Sequence, residues 1–550
     1  MRSFRSVRLA AVLTVMGAAL AVGCGSSADS GATAQTGGSS GGGGDGGSRT
    51  FVYAVPDVPD SLDAFPFGGD ATRWMLVARK SMLIDYDVDR LEGRGCEQLP
   101  TNDDVVGQLV DSWRFSGDRR TITLTLKDTG SQYGNKLSAD DVKWSVERSF
   151  ALAPFMPEAM GVNGRFDVRR MVTVVDDKTV DVHLTEPFAF ALPLLGNNTM
   201  PIFDSREARK HATEDDPWAS KWLSTHIADF GPWQLDNFTS GSEIVMRRNP
   251  NYTGERGNVD TLVLREVPDA SVRTQLLQSG DADYAARLSY DQYTALQTSD
   301  GVSVTPCVSL NRDLIVLNQR DPLFRDVRVR QAVSLAIDRD ALVESVYGDF
   351  AEPARYGFSQ YLQMPKSDVE IATDLEQAKQ LLREAGHPDG FELNMIYSAV
   401  RPGPVVDQLA PVLQSMLGRV GIEVKLRNIA GSADFFEAYN GGNYQSAIYS
   451  EGNILSDPTW IGTYFLASDG TNNTFGFKSA EYDRTLAQAA KATSASERDA
   501  LYARLSTLAV TEVPLVYLTD DKSVWAFSDG VSGLGVRPQG ELVPSDLTVK

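Results

Sequence analysis

A chain of 550 residues, 42% of them hydrophobic, has material for more than one buried core. Its formal net charge of −21 argues against nucleic acid as a partner, and its four scattered histidines and three cysteines offer no spacing suited to a zinc site. There is no phosphate-cradling Gly-x-x-x-x-Gly-Lys-Ser/Thr loop and no Ser/His/Asp set at motif spacing, so an enzyme is not expected and no cofactor or metal is implied.

Arg2, Arg5 and Arg8 precede an apolar run, Leu9 to Val22, too short and too rich in small residues to span a bilayer comfortably. Residues 1–23 therefore read as a signal peptide. Its end, Leu20-Ala21-Val22-Gly23-Cys24, looks like a bacterial lipobox, in which the Cys24 thiol would accept a lipid. Residues 24–49, nearly all Gly, Ser, Ala and Thr, read as a flexible tether holding a folded body near a membrane.

Globular composition starts near Thr50. The run from Trp113 to Phe150 predicts a strand in which Ile122, Leu124 and Leu126 alternate with Thr, then a Gly/Asn turn and a helix. Ser138 is placed to cap that helix, Asp140 and Asp141 lie in its first turn, and Val142, Val146 and Phe150 form its apolar stripe. This order, ending in Leu137-Ser138-Ala139-Asp140-Asp141-Val142-x-x-Ser145-x-Glu147-Arg148, resembles the signature of extracytoplasmic solute-binding proteins of the peptide-type ABC importers, family 5.

The resemblance continues along the chain. Asn249-Pro250-Asn251-Tyr252 leads to a strand, Thr261 to Val267, and a helix, Asp269 to Ser279, closed by Gly280 ahead of Asp281 and Asp283. Leu317-Asn318 leads to a helix from Asp326 to Arg339, with Val329, Ala332, Val333, Ala336 and Ile337 on one face. Thr373-Asp-Leu-Glu376 predicts a capping box for the next helix, which Gly386 closes. A strand (391–397), a helix (405–420) and a strand (422–428) follow.

Alternating strands and helices indicate α/β lobes with ligands at strand ends. The resemblance implies a two-lobed, type II periplasmic-binding-protein-like fold with an extra subdomain inserted in the first lobe. Lobe I is expected at residues 50–75, 186–313 and 515–550, the insert at 76–185 and lobe II at 314–514. It also implies a monomer outside the cytoplasm that captures a peptide or similar small polar solute and delivers it to an ABC permease with separate ATPase subunits.

Two places are candidate ligand contacts. Arg401-Pro402 follows a lobe II strand where dipeptide-binding relatives carry an Arg-Pro that pairs with the ligand carboxylate; the alternative is a solvated loop arginine. Peptide-binding members carry an acid three residues before an Asp/Glu-Pro pair, for the ligand's amino terminus, but here that position is Ile454 and the nearest acid is Glu451. Asp457 serves either the ligand or the following turn, and Tyr449 and Trp460 either stack on a ligand or belong to the core. The displaced acid keeps open a non-peptide solute such as an oligosaccharide, opine or chelate, and a ligand sensor uses the same scaffold; a secreted hydrolase is the remote alternative. With Cys24 lipidated, Cys96 and Cys307 are the pair left for a disulfide, a bond that sequence leaves open.

Overall fold

In a computed structural model of the chain, the described residues are 49–63, 79, 81–87, 96–153, 166, 170–188, 190–196, 200–254, 257–452, 455–492, 494–532, 537 and 548–549. The signal peptide, Cys24, the Gly/Ser segment and Ile454 lie outside them. Among the described residues no helix is long and apolar enough to cross a membrane.

Two sheets organise the body. The larger runs, in spatial order, Val302–Val308, Thr519–Ser528, Tyr284–Ala285, Thr50–Val55, Thr261–Glu266, Glu243–Arg248, Trp233–Thr239, and Ala351–Pro353 pairs with Thr519–Ser528 off this path. The smaller has the order Ile422–Asn428, Phe391–Tyr397, Ser446–Gly452, Asn311–Leu317, Val516–Tyr517, with its first three strands parallel. The chain passes from the larger to the smaller sheet at Ser309–Leu310 and returns at Leu518. Leu518 N–H donates to the Asp313 carbonyl (2.9 Å), Asp313 N–H to Thr519 Oγ1 (3.2 Å) and Ser309 Oγ to the Asp521 carbonyl (2.9 Å). The two passages are thereby held side by side.

A four-stranded antiparallel sheet, in spatial order Val110–Phe115, Thr121–Leu126, Thr179–His183 and Val172–Asp176, lies in the sequence between the first two strands of the larger sheet. Ile122, Leu124 and Leu126 are buried and the intervening threonines half-buried, as the alternation requires. Helix Ala139–Leu152 covers this sheet through Val142 and Val146. Asp141 does more than meet the helix dipole: it is buried, accepts from Ser138 N and Oγ at 2.9 and 2.7 Å, and accepts from Ser205 N and Oγ at 2.9 and 2.6 Å.

One apolar cluster is continuous from Leu124 and Val180 of the four-stranded sheet to Leu314, Tyr449 and Tyr517 of the smaller sheet; the smaller sheet's other face packs Ile315, Ile448 and Val516 against Leu409, Leu413 and Val333. Two predicted helices differ in detail. The stretch 326–339 is broken: Asp326 caps Val327–Leu335, and Asp338 starts a second helix at Arg339 by accepting from Ala341 N. The cap of Leu375–Glu384 is Asp374, which accepts from Gln377 N, whereas the Thr373 hydroxyl bonds the Ile337 carbonyl at 2.9 Å, so no Thr373–Glu376 box forms. Cys96 and Cys307 are joined (Sγ–Sγ 1.98 Å), and Val308 N–H donates to the Cys96 carbonyl beside them.

Candidate functional site

The carboxyl ends of Phe391–Tyr397 and Ser446–Gly452 and the start of Asn311–Leu317 share one edge of the smaller sheet, beside the two passages between sheets. Strand ends at a change of chain direction are where α/β sheets leave backbone and side chains free for ligands.

Arg401 follows the first of these strands. Its Nε donates to the Ser450 carbonyl at 2.6 Å and its guanidinium carbon lies 5.1 Å from the Tyr449 ring centroid. The ring below is held in turn: Tyr449 stacks on Tyr439 (4.2 Å, 3°), which stacks on Tyr444 (5.4 Å, 2°). The guanidinium is therefore fixed at Nε and over one face, while its two terminal nitrogens donate to none of the described residues. A half-buried planar fork in that state suits an incoming carboxylate.

Glu451 stands opposite Arg312 in the antiparallel ladder. Its side chain is buried and accepts no hydrogen bond from the described residues, with Oε2 wholly enclosed. Burial pushes its carboxyl up to about 7; Arg312 and Arg401 pull it down and Asp520 pushes it further up. Arg401 acts on it from the neighbouring Ser450, so the structure brings these two sequence candidates to one strand end.

The other candidates are engaged within the protein. Asp457 caps Pro458–Ile461 by accepting from Thr459 N (2.8 Å), and it also accepts from the Tyr502 hydroxyl (3.0 Å) and Asn102 Nδ2 (3.0 Å). Of its two readings, the turn cap is the one observed. Trp460 is buried and stacks on Tyr464 at 5.1 Å, and Tyr449 is buried in the tyrosine stack, so both rings have protein partners.

Sequence reading missed a group of charges on the two passages. Arg312 pairs with Asp520 (Nε–Oδ1 2.7 Å), donates to the carbonyls of Gly357 and Tyr356 at 3.0 and 2.8 Å, and lies 3.9 Å from the Tyr517 ring centroid. Asp313 accepts from the Tyr347 hydroxyl at 2.7 Å and lies against Asp521; burial pushes both carboxyls above the ordinary range, and the charge of Asp313 pushes Asp521 further. The available signal was local: Arg312-Asp313 and Asp520-Asp521 each put charge beside an otherwise apolar strand.

On the larger sheet, Arg273 is buried beside two strand ends. It donates to the carbonyls of Ala286 (2.8 Å), Val267 (2.6 Å), Pro268 (2.8 Å) and Arg287 (3.0 Å). One guanidinium thus ties the ends of Thr261–Glu266 and Tyr284–Ala285 together.

Two sheets joined by two passages, with an inserted antiparallel sheet and polar groups at the strand ends, are the architecture of a two-lobed binding protein. The chain belongs to the bacterial extracellular solute-binding proteins, family 5, whose model matches residues 104–473. It is 26% identical over 473 residues to the probable D,D-dipeptide-binding periplasmic protein DdpA of Escherichia coli, covering 84% of this chain and 86% of that protein. It is 25% identical over 458 residues to heme-binding protein A of Haemophilus influenzae, covering 80% and 83%. Among solved structures, the dipeptide-binding protein of a Pseudoalteromonas species in complex with Met-Leu superimposes with a TM-score of 0.78 at 20% identity, covering 91% of this chain and 100% of that one. DppA of Helicobacter pylori with peptide STSA gives 0.75 at 22% identity, covering 91% and 98%. The protein is a solute-binding protein, not an enzyme.

Proposed function

We propose that the protein captures a peptide or a similar small polar solute between its lobes and delivers it to an ABC permease. The lobe limits we adopt are 50–75, 186–313 and 515–550 for lobe I, 76–185 for the insert and 314–514 for lobe II. They are supported to within a few residues by the passages at Ser309–Leu310 and Leu518, which leave strands Asn311–Leu317 and Val516–Tyr517 whole in the smaller sheet. The observation that carries the reading is Arg401: a guanidinium held by the Ser450 carbonyl and the Tyr449 face, whose terminal nitrogens donate to none of the described residues and so suit a ligand carboxylate. Glu451 is the acid available for a ligand amine. Cys24 carries a lipid that holds the monomer at the outer face of a bacterial membrane, a reading supported by Arg2, Arg5, Arg8 and the Leu20–Cys24 run. Mass spectrometry of the solute released on denaturing the purified protein tests the assignment. A peptide is expected, and a released solute without a carboxylate would sink it. The second reading keeps the scaffold and changes the solute to an oligosaccharide, opine or chelate; it is favoured by Ile454 standing where peptide-binding members carry an acid.

A further inference from the structure

The passages between the sheets hold more carboxylate than the neighbouring arginines neutralise. Asp313 (2% exposed), Asp520 (0%), Asp521 (8%) and Glu451 (3%) are all buried. The guanidinium groups acting on them are Arg312 and Arg401. Arg312 is engaged by Asp520 and two carbonyls. Arg339, behind Arg312, is engaged by the carbonyls of Ser334, Ile337 and Tyr517. Among the described residues the other groups facing the carboxylates are phenols, Tyr482 and Tyr517 at Glu451, Tyr290 and Tyr347 at Asp313 and Asp521, and Tyr361 at Asp520 and Asp521, and the hydroxyls of Ser450 at Asp313, Thr519 at Asp521 and Ser359 at Asp520. None supplies a positive charge.

Glu451 Oε2 is enclosed and accepts no hydrogen bond from the described residues, whereas Asp313 and Asp521 lie within hydrogen-bond reach of each other, so that one proton held between them leaves the pair with a single negative charge. Asp313 also keeps the Tyr347 and Ser450 hydroxyls and Asp521 the Thr519 hydroxyl, while Glu451 has no such donor among the described residues. A buried carboxylate without a hydrogen bond or cation costs several kcal/mol if ionised, by the general order of such penalties. It is relieved by a proton or by a cation brought from outside. We propose, building on the reading that solute binds at this strand end, that the site selects a solute with more positive than negative charge: a peptide whose basic group meets Glu451 and the Asp313–Asp521 pair while its carboxylate lies on Arg401.

Protons are then the competitors of the ligand. With Glu451 at about 7, one proton must leave for each cation bound there, and apparent affinity falls as pH drops below that value. For one such proton the fall between pH 8 and pH 5 is about a hundredfold.

Calorimetry on the purified protein with Ala-Lys-Ala, Ala-Ala-Ala and Ala-Glu-Ala decides the matter, at pH 8 and pH 5 and in two buffers of different ionisation enthalpy. The expected order is Ala-Lys-Ala at least tenfold tighter than Ala-Ala-Ala, with Ala-Glu-Ala weakest. Proton release should accompany Ala-Lys-Ala near pH 7. Glu451→Gln should shrink both the lysine preference and the proton release, with its unfolding midpoint checked alongside. Equal binding of Ala-Glu-Ala and Ala-Lys-Ala, or a lysine preference untouched in Glu451→Gln, overturns the charge selection and leaves peptide binding standing. If no tripeptide binds, the peptide reading has failed, and thermal shift with spermidine against citrate decides the charge question. Stabilisation by spermidine alone supports it, and any other outcome overturns it.

Discussion

Replacing Glu451 by Gln should stabilise the ligand-free protein at alkaline pH, although the change removes a carboxylate flanked by two arginines. The folded protein holds this carboxyl at about 7 against an ordinary 4.5, with burial the largest cause. Between those values the folded state keeps a proton that the unfolded chain has lost, so stability falls as pH rises through that window. At ~1.36 kcal/mol per pH unit the ionised side chain costs the native state about 3 kcal/mol above pH 7. Gln does not titrate, so its stability curve lacks this fall. Its amide, placed where Glu451 accepts nothing, adds an offset that is the same at every pH. The readable quantity is therefore the change of the variant-minus-parent difference with pH, expected to grow in favour of Gln by about 2–3 kcal/mol between pH 4.5 and pH 8. Urea unfolding across that range measures it, after retained solute has been stripped by partial unfolding and dialysis, because bound ligand would add its own stabilisation. A difference that stays flat with pH, or grows toward acid, refutes the argument.

Arg401→Ala should weaken binding of a carboxylate-bearing peptide by at least about a hundredfold in calorimetry, the order expected when a charge partner is removed from a desolvated pair. Its effect on the unfolding of the empty protein should stay near the ~1 kcal/mol of one lost hydrogen bond, that to the Ser450 carbonyl. Arg273→Ala should cost about 3–5 kcal/mol in chemical denaturation, since it strips the donors from four carbonyls at once. The double change Cys96→Ser with Cys307→Ser opens a link across 211 residues, for which the loop-closure model gives about 5 kcal/mol, so the unfolding midpoint should drop markedly. Cys24→Ala should shift the protein from the membrane fraction to the medium or leave an unprocessed precursor; unchanged membrane association of a fully processed form would refute the anchor.

What was legible in the sequence is what neighbours along the chain decide. Alternation placed Ile122, Leu124 and Leu126 on the buried face, and Asp269 with Gly280 bounded the helix Ala270–Ser279. Where a residue had a partner far along the chain, local rules erred. Thr373 has the hydroxyl of a good cap, yet the Ile337 carbonyl takes it and Asp374 caps instead. Asp141 read as a dipole residue and is a buried bridge to Ser205. The same division holds at the site. Arg401 and Glu451 were visible because one follows a predicted strand and the other is the acid nearest Ile454. Arg312, Asp313, Asp520 and Asp521 gain their meaning only when the two passages lie side by side, and nothing within either segment states that pairing.

The relatives show why the fold alone leaves the solute open. One is described as D,D-dipeptide-binding and another as heme-binding, and a superimposable structure, with a TM-score of 0.74, holds agropinic acid. Most of the free energy of such a fold comes from its apolar clusters, which differ little in kind between one ligand and another. Selectivity comes from the few polar groups at the strand ends, and it depends on how firmly they are held, because a ligand pays for whatever ordering the empty site has not already done. Arg401 is firmly held here: the Ser450 carbonyl fixes Nε, and Tyr449, Tyr439 and Tyr444 form a stack of three rings beneath the guanidinium. Long side chains lose the most rotamer entropy on binding, so a carboxylate of the proposed solute would meet this fixed guanidinium at lower entropic cost. On the proposed reading of Arg401, the buried tyrosines contribute to recognition by holding the group that would reach the ligand.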